Sequence, residues 1–281
     1  MIVETISIQG SGAWNEDALV SRTERGVYAV VDGATSLVPF AGAGGETGGY
    51  LAARIVAELL DEGAPAADEP LRERLIAANR RLREAMEREG IDPSRKEALW
   101  SAAAVVVRVR ERSVEYAQAS DCMLAALYAD GSVRVVTRDQ NAPIDRETLR
   151  LWAEGAAGGQ RDRSEQWRGV LPQIVDGRRR TNTDAGYAVL NGDPAFDDYV
   201  EHGSINRIGL KALLLMSDGL YVCKPAGEEP FDAAETLRMV AGMGLKPFVE
   251  WLIRREESDP DGRLYPRVKT SDDKTAVWIQ F

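Results

Sequence analysis

The sequence predicts an α+β fold: a four-layer α-β-β-α sandwich with two mainly antiparallel central sheets. Three observations predict it. Strand-like segments open and close the chain with helical blocks between them, an order unlike the regular βαβα alternation of a doubly wound sheet. Several strands are apolar at every position, as expected where both faces are covered. The helical segments are amphipathic and suit the outer layers.

In chain order, residues 5–8 read as a strand, followed by a glycine-containing turn before Asn15 and a strand at 27–31. Residues 46–60 read as a helix, because Leu51, Ile55, Val56 and Leu59 fall near one face. Residues 63–70 read as a linker to a second helix at 71–89. There Leu71, Leu75, Ala78, Leu82 and Met86 recur at helical spacing, with Arg and Glu on the polar side. Strands follow at 102–109, 113–119, 123–128 and 133–137, and Asp130-Gly131 marks a hairpin between the last two. Residues 144–154 read as a short helix. The stretch 155–184 is rich in Gly and Arg, lacks periodicity and reads as a loop or flap. Strands are expected again at 187–190 and 211–216, helices at 232–243 and 247–255, and a closing strand at 275–281. With no internal repeat, 1–281 reads as a single domain carrying a flap-like insertion at about 141–186.

The 281 residues are 44% hydrophobic and 28% charged, enough to bury a core without staples. Forty-five acidic side chains against 35 basic ones give a net charge of −10, which disfavours nucleic acid and anionic lipid as partners. Cys122 and Cys223 form neither a CxxC pair nor a disulfide framework, and each sits beside an apolar run. The start, MIVETISIQG, has no basic or apolar signal pattern, and no apolar stretch is long enough to span a bilayer. A reducing cytoplasm is the expected location.

Two apolar strands stop at Asp-Gly: Val27-Tyr-Ala-Val-Val-Asp32-Gly33 and Ala212-Leu-Leu-Leu-Met-Ser-Asp218-Gly219. A carboxylate at the end of a buried strand is costly unless it is paired or binds a cation. The glycine lets the backbone approach closely, so that its carbonyl can serve as another oxygen ligand. Most Asp-Gly steps after strands are turns, as at Asp130-Gly131. Asp32-Gly33 differs, because Ala34-Thr35-Ser36-Leu37 and a glycine cluster follow instead of a second strand. For Asp218-Gly219 a turn stays open, since Leu220-Tyr221-Val222 can pair back. Glu16-Asp17 and Asp272-Asp273 are adjacent like charges beside strands, hence solvated loop residues or ligands of a hard divalent cation.

Taken in order, Asn15-Glu16-Asp17-Ala18, Asp32-Gly33, Ser217-Asp218-Gly219-Leu220 and Asp272-Asp273-Lys274-Thr275 resemble the protein phosphatase 2C (PPM-type) family. Ala119-Ser120-Asp121-Cys122 falls where the family has Gly-Asp-Ser, and Thr137-Arg138-Asp139-Gln140 where it has Thr-x-Asp-His. Each motif is short; the ordered set, spread over nearly the whole chain, is specific. The resemblance implies a β-sandwich flanked by helices, in agreement with the strand order. It implies that Asp32, Asp218 and Asp272 form the catalytic metal set, with Asp32 bridging two ions and Gly33 lending its carbonyl. Glu16 and Asp17 then serve the second ion, partly through waters, and Asp121 can hold a third, weaker one. The ions are Mn²⁺ or Mg²⁺. About 3.5–4 Å apart, they share a water whose pKa they lower and which attacks phosphorus in line.

The implied activity is hydrolysis of phosphoserine and phosphothreonine in a phosphorylated protein, with a cognate serine/threonine kinase as counterpart. The absence of a Cys-x5-Arg loop and of a nucleophile elbow agrees with this. Two departures stand out. Gly12 occupies the position of a phosphate-gripping arginine, for which Arg22 or an arginine within 161–180 is the candidate replacement. Ala34 stands where eukaryotic relatives carry a histidine. Two alternatives follow: a phosphatase-like binding module with weak turnover, and a phosphatase of a small phosphorylated metabolite. Retention of every metal ligand favours an enzyme. Other features read as structural. Gly42–Gly49 lacks the Lys-Ser/Thr of a phosphate loop and leads into a helix; His202 has no companion for zinc. Arg178-Arg179-Arg180 reads as a solvated loop, and Trp14 is as consistent with core as with a substrate platform.

Overall fold

A strand that is apolar at every position needs a partner layer on each side, and the chain supplies both. The computed structural model describes all residues except 36, 63–68, 159–161 and 229–230, so most of the expected linker at 63–70 lies outside the described residues. The strands are β1 (Ile2–Ile8), β2 (Asp17–Arg22), β3 (Val27–Ala34), β4 (Ser101–Val109), β5 (Ser113–Ala119), β6 (Met123–Tyr128), β7 (Val133–Val135), β8 (Glu201–Asn206), β9 (Leu210–Met216) and β10 (Lys274–Gln280). They form two antiparallel sheets, ordered β1-β10-β9-β6-β7 and β2-β3-β4-β5-β8. The helices are α1 (Gly48–Asp61), α2 (Leu71–Arg88), α3 (Ala142–Ala157), α4 (Arg163–Arg179), the single turn α5 (Phe196–Tyr199), α6 (Ala233–Met243) and α7 (Leu245–Glu257).

Three apolar clusters correspond to the three interfaces of four layers. On β3, Tyr28 and Val30 join Leu213 and Leu215 of β9 and Val277 and Ile279 of β10 between the sheets. The alternate residues Ala29 and Val31 face Val56 of α1 and Leu75 and Leu82 of α2. On the other sheet, Leu214, Met216 and Trp278 face Leu237 of α6 and Phe248 and Leu252 of α7. The period-2 alternation of side chains thus places residues 28–31 of β3 and 212–216 of β9 against a covered face on either side.

Helix ends are set locally. Thr47 caps α1 by accepting from Tyr50 N, so the glycine cluster before it is the expected loop into a helix. Gly131 at φ +83° makes the β6–β7 turn, where Ser132 N donates to Asp130. The residues after Asp218 do not pair back as a strand; Asp218–Leu220 is a 3₁₀ turn.

Several expectations are corrected. Residues 155–184 are largely helical, not loop: α3 runs on to Ala157 and α4 spans Arg163–Arg179. Pro172 lies inside α4, and only Gln166, Val170 and Gly177 of it are buried, so no apolar stripe exists to be seen. The strand expected at 187–190 reduces to one bridge, Leu190 to Ala102, and that at 133–137 ends at Val135. β8 was not anticipated; its sequence EHGSIN buries only Ile205 and it lies at a sheet edge beside β5.

Candidate metal centre

Asp17 and Asp32 are direct register partners on β2 and β3. Like charges directly opposite one another destabilise a strand pair. The second sheet adds two more. Asp218 opens the turn after β9, Asp272 immediately precedes the Asp273-Lys274 entry to β10, and β9 and β10 are neighbours. A hydrogen-bond relay joins the sheets here: Ser217 Oγ donates to Asp17 Oδ2 at 2.8 Å and accepts from Thr275 N at 3.1 Å. The four sequence-predicted aspartates therefore meet at one end of the sandwich. Asp32, Asp121, Asp218 and Asp272 line a cavity of about 1110 Å³, roofed by α3 and α4 and by the loop after Asp218.

The electrostatics register the crowding. Burial first, and then the charge of Asp272, raises Asp17 to about 8. Burial and Asp17 push Asp32 well above the usual carboxylate range. Burial and Asp272 raise Asp218 to about 7, with Lys269 opposing. Asp17 Oδ1 and Asp218 Oδ1 are buried without any hydrogen-bond partner. Orphaned carboxylate oxygens and raised pKa values are what a hard-cation site shows when its charge is uncompensated. Among the described residues no three acidic, His or Cys side chains are already drawn together into a finished cage. The fit to a divalent ion thus rests on donor chemistry and unsatisfied oxygens.

The remaining sequence-predicted residues are placed as follows. Gly33 has no room for a side chain: a Cβ there would lie 2.1 Å from Gly49 O and 2.8 Å from Glu16 O. Glu16 is buried and both of its carboxylate oxygens accept hydroxyls, Oε2 from Thr35 at 3.0 Å and Oε1 from Thr47. Asp121 lines the same cavity, raised to about 6 by burial and then by Asp139. Asn141 Nδ2 links Asp121 (3.3 Å) to Asp145 (2.9 Å), and Tyr221 donates its hydroxyl to Asp121 O at 2.6 Å. Asp139 is turned into the start of α3, where its Oδ1 accepts from Asn141 N and Ala142 N.

Asp273 is neither a solvated loop residue nor turned to the cavity. Its two oxygens accept from Gly10 N and Glu16 N, each at 2.7 Å, and so fasten the segment before β2 to the segment before β10. Lys274 is 1% exposed and holds the Asp272 loop: Nζ pairs with Glu256 at 2.9 Å and donates to Ser271 Oγ and Asp272 O. Arg267 does likewise through Asp259. Sequence reasoning quoted Lys274 in a motif without giving it a role, and missed Lys269, Asn141 and Asp145. Of the missed residues, Asn141 and Asp145 carried a signal, their i,i+4 spacing at the start of a helix. Gly12 is exposed, as is Arg22, which is bound to Asp61 and is not among the cavity's residues. Of the other arginines considered, Arg161 lies outside the described residues, and Arg178 lines the cavity and reaches Thr35 O at 3.3 Å. Trp14 packs on Tyr50 and donates to Gly45 O.

Acidic strand ends from two facing sheets, gathered under a helical roof, make up the candidate metal centre. The family model described as Protein phosphatase 2C matches residues 7–260, and the chain belongs to that family of metal-dependent protein phosphatases. No curated protein matches at a significant level. Among solved structures, a bacterial serine phosphatase is similar at TM-score 0.60 and 17% identity, covering 99% of this chain and 96% of that one. The Mycobacterium tuberculosis serine/threonine phosphatase PstP/Ppp is similar at 0.59 and 17%, covering 100% and 98%. The PstP catalytic domain in complex with two manganese ions gives 0.57 and 17%, covering 99% and 96%. These likenesses bear out the expected sandwich. Among the described residues no helix is long and apolar enough to cross a membrane.

Proposed function

We propose that this chain hydrolyses phosphoserine and phosphothreonine in proteins, with Asp17, Asp32, Asp218, Asp272 and the Gly33 carbonyl holding two divalent cations, Mn²⁺ or Mg²⁺. The observation that carries the reading is the meeting of these four aspartates, with Asp17 and Asp218 each keeping an unpartnered buried oxygen. Bound cations supply Lewis acidity: they lower the pKa of an attacking water and neutralise charge on the phosphoryl oxygens. The protein's own residues do the positioning. Ser217 orients Asp17, Lys274 and Asp273 hold the backbone that carries Asp272, and residues of α3 and α4 line the cavity. Asp32, Asp218 and Asp272 are the proposed catalytic set. Glu16 serves the second ion through the hydroxyl pair Thr35 and Thr47 or through water, and Asp121 is the proposed outer ligand for a third ion.

In this reading the chain is one catalytic domain with a flap-like insertion at 141–186, opposing a serine/threonine kinase in cytoplasmic signalling. The free cysteines Cys122 and Cys223 accord with a reducing compartment. The test is Mn²⁺-dependent release of phosphate from a phosphothreonine peptide, beside an aryl phosphate, a panel of phosphorylated metabolites and the Asp218→Asn variant. Turnover of the peptide that is lost in the variant is expected. Metal-dependent turnover of the metabolites alone would assign a small-molecule substrate, and none on any substrate would leave only a binding module.

A further inference from the structure

Resting on the reading above, we propose that Lys269 is the phosphate-gripping cation of this site, held by Asp272 in the metal-free protein and turned to the phosphoryl group when Asp272 engages metal. Lys269 Nζ lies 2.6 Å from Asp272 Oδ1. Its side chain, 36% exposed, lines the same cavity as Asp32, Asp218 and Asp272.

Three other cations along the cavity are committed elsewhere. Arg150 is tied to Glu147 and Glu154, Lys224 to Glu235, and Arg267 is sealed against Asp259. Arg178 reaches a backbone carbonyl on the roof side. Lys269 contacts a candidate metal ligand directly, in a chain whose residue 12 is an exposed glycine. When a divalent ion takes up the Asp272 carboxylate, the ammonium loses its partner. Its flexible four-carbon stem can then carry it to a phosphoryl oxygen, which accepts a charge-assisted hydrogen bond. The residues behind it are rigid: Arg267 is anchored by Asp259 and by the carbonyls of Glu256 and Tyr265, so the stem moves without its backbone.

The test measures inorganic phosphate binding to the Mn²⁺-loaded protein by titration calorimetry, and Mn²⁺ binding separately. Lys269→Met should weaken phosphate by about tenfold or more while leaving Mn²⁺ affinity equal or tighter, since a competing cation is gone. Lys269→Arg should recover most of the phosphate affinity. On a phosphopeptide, Lys269→Met should raise KM more than it lowers kcat. A purely structural lysine would instead lower thermal stability and Mn²⁺ affinity without selectively moving phosphate, which would overturn the proposal. The wild-type protein supplies a check independent of the variants' folding. Amine-labelling mass spectrometry should find Lys269 protected in EDTA, more reactive with Mn²⁺, and protected again by Mn²⁺ plus phosphate; equal labelling in all three would overturn it. If wild-type protein binds Mn²⁺ and phosphate but Lys269→Met does so equally, the lysine's role falls and the phosphatase reading stands. If wild-type protein binds neither, both fall.

Discussion

Replacing Asp218 with Asn should make the metal-free protein more stable at alkaline pH. Burial and neighbouring charge raise this carboxyl from an ordinary 3.8 to about 7. About three pKa units at roughly 1.4 kcal/mol each set a ceiling near 4 kcal/mol for keeping it ionised above pH 7. Neighbouring carboxyls titrate together with it, so about half of that, roughly 2 kcal/mol, is the expected gain. In a chain of this size the gain corresponds to about 4–8 °C in melting temperature. Asn keeps the volume and removes only the charge.

The sign is fixed by linkage. The folded pKa lies above the unfolded value, so the group's contribution is fully present below about pH 4 and is lost as pH rises through about 7. The offset between variant and wild type should therefore be largest at pH 8, fall to about half at pH 5.5 and vanish only below about pH 4. Urea or thermal unfolding in EDTA at both pH values measures it. In excess Mn²⁺ the order should reverse, because only the wild type gains from binding. An Asn variant that is less stable in EDTA at pH 8, or equally offset at both pH values, would refute the reasoning.

Mn²⁺ affinity should rise between pH 6 and 8, because Asp17 at about 8 and Asp218 at about 7 must release protons to coordinate; calorimetry in buffers of different ionisation enthalpy should record that release. Lys274→Met should cost about 3–5 kcal/mol by leaving Glu256 buried without its partner, read as a drop in the unfolding midpoint with Mn²⁺ absent. Gly33→Ala should abolish Mn²⁺ binding or folding, since the new methyl would sit 2.1 Å from Gly49 O; soluble variant binding Mn²⁺ with wild-type affinity would contradict the packing.

The parts of the fold and site that were legible in the sequence share a physical reason. The runs at 27–31 and 212–216 were readable because both faces of β3 and β9 are buried, which forces every position to be apolar. The aspartates stood out because they end those runs. α4 was not legible, because a roof helix burying three residues needs no apolar stripe, and Pro172 contradicts its local propensity. β8 lies at a polar sheet edge. The distinction between Asp272 and Asp273 was also hidden. The partners of Asp273 lie 257 and 263 residues away, so only the folded chain shows that one acid of the pair faces the cavity and the other clamps backbone.

The arrangement also explains why charge repulsion at this site does not open the sandwich. Asp17 and Asp32 belong to one sheet, whereas Asp218 and Asp272 belong to the end of the other. Mutual repulsion therefore acts across the sheet–sheet interface at its unsealed end. Opposing it, the Ser217 relay crosses from Asp17 to Thr275, and Asp273 ties Gly10 and Glu16 to the strand entering the second sheet. These clamps fix the carboxylates' supports while leaving oxygens unsatisfied, so a cation bound there would close the interface rather than create it. Loss of metal should accordingly loosen the end of the sandwich that carries the aspartates, while the apolar layer around Val30, Leu215 and Val277 stays intact. Hydrogen exchange in EDTA and in Mn²⁺ reads this directly: protection should change at residues 15–18, 217–220 and 271–275 and hold constant at mid-strand β3. Uniform change along β3 would show that metal governs the whole fold rather than its end.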